Sequence, residues 1–289
     1  MNKRIILPLL ALLFCFFSSF SQSILWKVSG KKMKSPSYVF GTIHIQDERV
    51  FAFDSTVLNA LNSCEAFAAE VLLDKINAQE LRQFTMMSKD QLLSDLLSKE
   101  DFALLDSICK AKLGVSAIFM NRMKPFFIAS AIQQADIPQD MENALDLFLL
   151  KYARDNNKLC FGLEDYMDQI KAIDAFKMKD QIEMLTLMLH DTSTMSQEFG
   201  EMLNAYLGFD LDKLSEMSQD TSLPKEFEKV LLVNRNVKMV KQFLRISGEH
   251  TLFCAVGAAH LAGDKGIISL LRKKGYTVEP VIFSWEPLK

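Results

Sequence analysis

Two of the four histidines in this 289-residue chain close the same short pattern, Gly41-Thr42-Ile43-His44 near one end and Gly257-Ala258-Ala259-His260 near the other. With only 11 glycines in the chain, such a repeat is a poor candidate for coincidence. Imidazole exchanges protons near neutral pH and is the commonest metal-binding side chain. Two carboxylates join the histidines as candidates. Glu70 interrupts the apolar run Phe67-Ala68-Ala69-Glu70-Val71-Leu72-Leu73, where burying a charge is costly unless a cation or N–H donors satisfy it. Glu164 closes Phe161-Gly162-Leu163-Glu164. If the four converge, two imidazoles and one or two carboxylates form a donor set suited to a divalent ion such as Zn, Mn or Co. Such an ion polarises a carbonyl and generates hydroxide, and the carboxylate that is not a ligand acts as general base.

Plainer readings stand beside these. A single histidine at a strand end is commonly a satisfied hydrogen-bonding group. Glu70 could pair with a buried cation, for which Arg235 in Leu231-Leu232-Val233-Asn234-Arg235-Asn236 is available. Glu164 could be a carboxylate favoured by the dipole of a following helix. His190 and His250 have no comparable context and read as surface or loop residues, and the 15 methionines read as core filler. There is no HExxH, GxSxG or Walker sequence, which leaves the zincin, serine-hydrolase and P-loop readings without support.

Delivering distant residues to one place is the task of the elements around them. Short β-branched and aromatic runs at 24–28 and 37–42, separated by a Gly-Lys-Lys turn, predict a hairpin. A helix over 54–62 with Asp54 as N-cap and Val57, Leu58 and Leu61 inward should follow, then a buried strand over 66–73. Apolar residues recur at helical spacing from 78 to 139 and again over 141–156. A strand at 158–162 leads into more helix between 166 and 217 and a long helix over 224–246. The chain closes with strand 251–256, helix 264–274 capped by Gly275, and strand 277–283. The fold class is therefore α/β with α+β character. A mixed central sheet is flanked by helices, carries a large helical insertion, and ends in a strand-helix-strand unit. Both Gly-x-x-His motifs follow strands, so their histidines belong at strand C-termini, where open α/β sheets bind ligands.

Lys3 and Arg4, the apolar run 5–17 and Ser19-Phe20-Ser21 have the form of a signal peptide over residues 1–21. Its apolar core falls short of the ~20 residues a spanning helix needs, and no later stretch supplies a transmembrane anchor. Export to the periplasm or beyond is the expectation, with residues 22–289 as one domain. Loss of residues 1–21 would move the formal charge from −3 to −5, and a mildly acidic chain without basic clusters argues against nucleic acid as a partner. Cys64, Cys109, Cys160 and Cys254 are widely spaced without a CxxC pair, and read as thiols rather than bridges.

At these residues the chain resembles the TraB/GumN family, which includes the Tiki and pheromone-shutdown proteins and is related to the erythromycin-esterase and ChaN-like folds. The resemblance runs through Leu25-Trp26-Lys27-Val28, Ser37 to His44 and the Glu70 segment. It continues through Ala144-Leu145-Asp146, Lys158 to Glu164 and Gln169, and ends with Val256 to Gly263, Gly266, Leu270, Leu271 and Gly275-Tyr276-Thr277-Val278. The resemblance implies His44, Glu70 and His260 as metal ligands, with Glu164 and Arg235 beside them as catalytic residues and Glu164 as candidate base. It also implies metallopeptidase chemistry on a peptide or protein substrate. The rival expectation is a non-catalytic protein that sequesters a peptide or metal in the same cleft; a metal-free esterase is a third.

Overall fold

The computed structural model describes residues 23–72, 78–190, 193–218 and 232–288, so the expected signal peptide and part of the helix expected over 224–246 lie outside the described residues. The expected hairpin is present as β1 (Leu25–Ser29) and β2 (Ser37–Thr42), paired antiparallel. Asp54 caps α1 (Ser55–Asn62) through a side-chain bond to the Thr56 N–H, with Val57 and Leu61 buried and Leu58 half-buried. Then comes β3 (Ala66–Ala69), shorter than the expected strand. Glu70 thus stands one residue past the strand's end rather than within it.

The helical insertion comprises α2 (Ala78–Thr85), α3 (Leu93–Leu96), α4 (Lys99–Leu113), α5 (Pro125–Gln134) and α6 (Leu145–Asp155). After β4 (Leu159–Gly162) come α7 (Tyr166–Asp174), α8 (Met178–His190), α9 (Ser193–Leu207) and α10 (Leu211–Ser218). Finally, α11 (Asn234–Ser247), β5 (Leu252–Gly257), α12 (Ile267–Lys273) and β6 (Thr277–Pro280) complete the described chain. The order across the mixed sheet is β4-β3-β5-β2-β1-β6, with β4, β3, β5 and β2 parallel. Because β6 pairs with β1, the closing strand-helix-strand unit spans the hairpin instead of joining adjacent strands.

Central β5, Leu-Phe-Cys-Ala-Val-Gly, is buried along nearly its whole length, as a strand covered on both faces must be. Phe40, Phe67 and Phe253 knit β2, β3 and β5 into the main core. A second apolar cluster, built from Leu93, Leu105, Ile128, Ile132 and their neighbours, packs α3, α4 and α5 against Leu185 of α8. Cys64, Cys109 and Cys254 are buried thiols, and Cys160 is a half-buried one. Among the described residues no helix is long and apolar enough to cross a membrane.

The segment after β2 is fastened to the start of α6. Leu145 N–H donates to Ile45 C=O, Met141 N–H donates to Gln46 C=O, and buried Asp47 binds Arg49 through its backbone N–H and its guanidinium. The Arg49 hydrogen bonds hold the Asp47 carboxyl below the usual range, outweighing its burial. Asp47→Asn should therefore cost about 1.5–3 kcal/mol near neutral pH in urea unfolding. A carboxyl lowered in the folded state stabilises above its unfolded value of 3.8 and ceases to do so as pH falls through the folded value. The wild-type advantage should accordingly shrink below pH 4; an unchanged difference there would contradict this account.

Candidate functional site

Parallel strands end at one edge, and the register sets Thr42 opposite Gly257 and Ala69 opposite both Ala255 and Gly162. Within a few residues of these ends the chain presents His44, His260, Glu70 and Glu164. The two Gly-x-x-His motifs thus leave adjacent strands at the same level. At Gly257 the N–H donates to Glu70 Oε1 over 2.7 Å, and a Cβ would stand 3.2 Å from that oxygen, so glycine permits the approach. At Gly41 a Cβ would come within 2.8 Å of Leu261 Cδ1 and 3.1 Å of Ala258 Cα, which keeps the first motif tight against the second.

Arg235, in the first turn of α11, joins the two carboxylates. Its NH2 donates to Glu70 Oε2 at 2.5 Å and its Nε to Glu164 Oε2 at 2.8 Å. Gln169 adds a long bond of 3.4 Å to Glu70 Oε2, and His260 Nε2 lies 3.8 Å from Glu70 Oε1. The next residue on α11, Asn236, receives the His260 Nδ1–H at 2.6 Å while its own amide N–H donates to Lys265 C=O at 2.9 Å. That second bond fixes which way the amide points, so His260 carries its proton on Nδ1 and leaves Nε2 as the free acceptor.

A model of the TraB/PrgY/gumN family matches residues 24–280. The chain belongs to the TraB/PrgY/gumN family. Among curated relatives, an uncharacterized protein of Treponema pallidum (strain Nichols) is 20% identical, over 89% of this chain and 82% of that protein. A protein named Metalloprotease TIKI homolog from Nematostella vectensis is 24% identical, over 90% of this chain and 67% of its own length. Human Metalloprotease TIKI1 is 23% identical over 89% of this chain, and the chain spans 61% of it, less than two thirds.

His44 is placed differently from the rest of this family member's cluster. It sits in the bend after β2, its side chain 67% exposed against 7% for His260, and its Nδ1 lies 2.8 Å from Asp146 Oδ1 in the first turn of α6. An ionised carboxylate only accepts, so here too Nδ1 carries the proton and Nε2 is uncommitted. The bond to Asp146, helped by the Asp146 and Glu70 charges, raises the His44 pKa above 6.5. Burial pushes His260 the other way, to about 4, so that imidazole is neutral at neutral pH.

The carboxylates also divide. Burial raises Glu70, but the neighbouring His260 and Arg235 charges and the Gly257 N–H outweigh it and bring it below 4.5. With His260 neutral above about pH 4, Arg235 and Gly257 are what keep Glu70 ionised at neutral pH. Burial raises Glu164 more than Arg235 lowers it, and its Oε1 has no hydrogen-bond partner among the described residues. Of the two carboxylates, Glu164 is therefore the one that accepts a proton more readily.

The donor chemistry fits a divalent ion: two imidazoles have Nδ1 held by an oxygen and Nε2 free, the arrangement that second-shell partners impose on ligating histidines, beside an ionised carboxylate. Among the described residues no group of three or more His, Cys, Asp or Glu already stands close enough to enclose one. The structure thus brings Glu70, Glu164, Arg235 and His260 together by contact, and sets His44 at the same edge on its own partner. Asn236 was not legible as a site residue, although an Asn beside Arg235 on the buried side of an amphipathic helix is the kind of signal that marks one. His190 and His250 lie elsewhere, against Asp101 and Glu65.

Arg235→Met would leave two buried carboxylates without their cation, a change that costs about 3–5 kcal/mol in comparable settings. Urea denaturation at pH 7 should show a loss of that order, and adding Glu164→Gln should recover part of it. A loss under about 1 kcal/mol would mean the carboxylates do not depend on the guanidinium.

Proposed function

We propose that this protein is an exported metal-dependent hydrolase with peptidase chemistry, its site built from the two Gly-x-x-His motifs. The observation that supports this best is the pair of histidines at the ends of hydrogen-bonded strands β2 and β5, each with Nδ1 committed to an oxygen and Nε2 free, beside ionised Glu70. The names of the TIKI relatives point to the same chemistry, and the signal-peptide form of residues 1–21 supports export.

His44, Glu70 and His260 would hold the ion, which when bound supplies a Lewis acid for the substrate carbonyl and an activated water. The chain's own residues do the rest. Asn236 and Asp146 keep both imidazoles in one tautomer and orientation. Arg235 fixes the carboxylate planes of Glu70 and Glu164 relative to each other. Glu164, raised by burial and with Oε1 unengaged, is the candidate base that takes a proton and returns it to the leaving group.

A sequestering protein is the rival reading, favoured by the fact that both Glu70 oxygens already accept bonds from Arg235 and Gly257. Assays of a peptide library with each variant, with and without chelator, separate the readings. His44→Ala and His260→Ala should each reduce hydrolysis to background with loss of bound metal, and the double variant should be no worse than either. Glu164→Gln should keep the metal while turnover falls by about 10²- to 10⁴-fold. Activity persisting in the chelated wild type would indicate a metal-free esterase; metal or peptide binding without turnover under any condition would indicate sequestration.

A further inference from the structure

A cavity of about 490 Å³ opens directly beside His44. Its floor is the ends of the two motif strands, Thr42 to His44 and Gly257 to Ala259, and its walls come from α9, α10 and the end of α5. Protein interiors leave few voids larger than a water molecule, so a space of this size beside a strand-end site is not a packing defect. It falls within the roughly 300–1,000 Å³ of pockets that bind small ligands.

Its chemistry is lopsided. Ile43, Phe199, Met202, Leu214 and Met217 present hydrocarbon and thioether, whereas its acidic members are exposed: Glu198, and Asp136, which is paired with Lys112. Tyr206, also in the wall, is fully buried with its hydroxyl already spent on Gly41 C=O at 2.9 Å. Among the described residues the other polar members are Thr42, Gln133 and Ser218, and apolar surface predominates, so the pocket selects mainly by shape and apolar area, and methionines suit it to more than one shape. Arg235, Glu70 and Glu164 do not line it. His44 does line it, at the same strand edge that carries the polar cluster.

We infer that this cavity is a specificity pocket that takes a bulky apolar side chain, such as Leu, Phe or Met, of a substrate peptide whose scissile bond lies at His44. The inference rests on the peptidase reading for its substrate class, but pocket occupancy can be measured without turnover. The neutral fluorophore N-phenyl-1-naphthylamine should bind metal-free wild type. Blocked peptides carrying Leu or Phe should displace it at least about 10-fold better than their Ala counterparts, as expected where methylenes are read by an apolar pocket. Met202→Trp, which fills the space, should weaken probe binding at least about 10-fold while circular dichroism shows a native fold. Phe199→Trp is the second filling variant should the first not fold.

Equal displacement by Leu and Ala peptides would overturn the inference, as would displacement by decanoate but by no peptide, or undiminished binding in a folded filled variant. In cleavage assays the wild type should favour the same bulky residues, with Met202→Trp shifting the preference to Ala or Gly. Selective peptide displacement with no cleavage would leave the pocket standing and remove the hydrolase. Cleavage without apolar preference would do the reverse.

Discussion

Two carboxylates at the C-terminal ends of neighbouring parallel strands share one guanidinium, and much of the architecture serves that arrangement. Glu70 and Glu164 are delivered by β3 and β4, and neither side chain reaches bulk water freely. An uncompensated pair there would be costly, so α11 has to dock with Arg235 across the strand ends. Once docked, it brings Asn236 against His260 and orients that ring as well. One helix turn thus neutralises the acids and sets the tautomer of the His260 ring. The same contacts divide the two carboxylates, leaving Glu70 ionised and Glu164 raised. Paired acids with pKa values pushed apart are the usual basis for separate acid and base roles.

Much of this was readable from residue types. The repeated Gly-x-x-His and the strand patterns around it are strong local signals, because a buried parallel strand must be a short continuous apolar run. The hairpin, the Asp54 cap and the placement of β4 and β5 follow from them with boundary shifts of a residue or two. Glu70 was less legible. Val71 and Leu72 are buried and apolar and continue the strand pattern, yet the chain leaves the sheet at Ala69, and only then can the carboxylate reach Arg235 and the Gly257 N–H. Polar partners, not apolar periodicity, set that boundary.

The difference between the two histidines was not legible at all. Their sequence contexts match, but His260 is in a short helical turn packed under α10 and α11, while His44 is in an exposed bend pinned by Asp146 from a helix about a hundred residues away. Tertiary partners that distant leave no local trace. The insertion likewise announced itself only as helix-rich sequence. How α3, α4 and α5 pack with α8 into one apolar cluster, and how α5, α9 and α10 wall the pocket beside His44, is something periodicity does not specify.

The proposed chemistry requires His44 and His260 to act on one ion. The most direct measurement is anomalous diffraction at the metal absorption edge, on crystals of the protein grown with Mn, Co or Zn. A single peak bonded to Nε2 of both His44 and His260 and to Glu70 at about 2.0–2.2 Å is the predicted result. A peak on one histidine alone, or at a different set of residues, would contradict the claim that the two motifs form a single metal site.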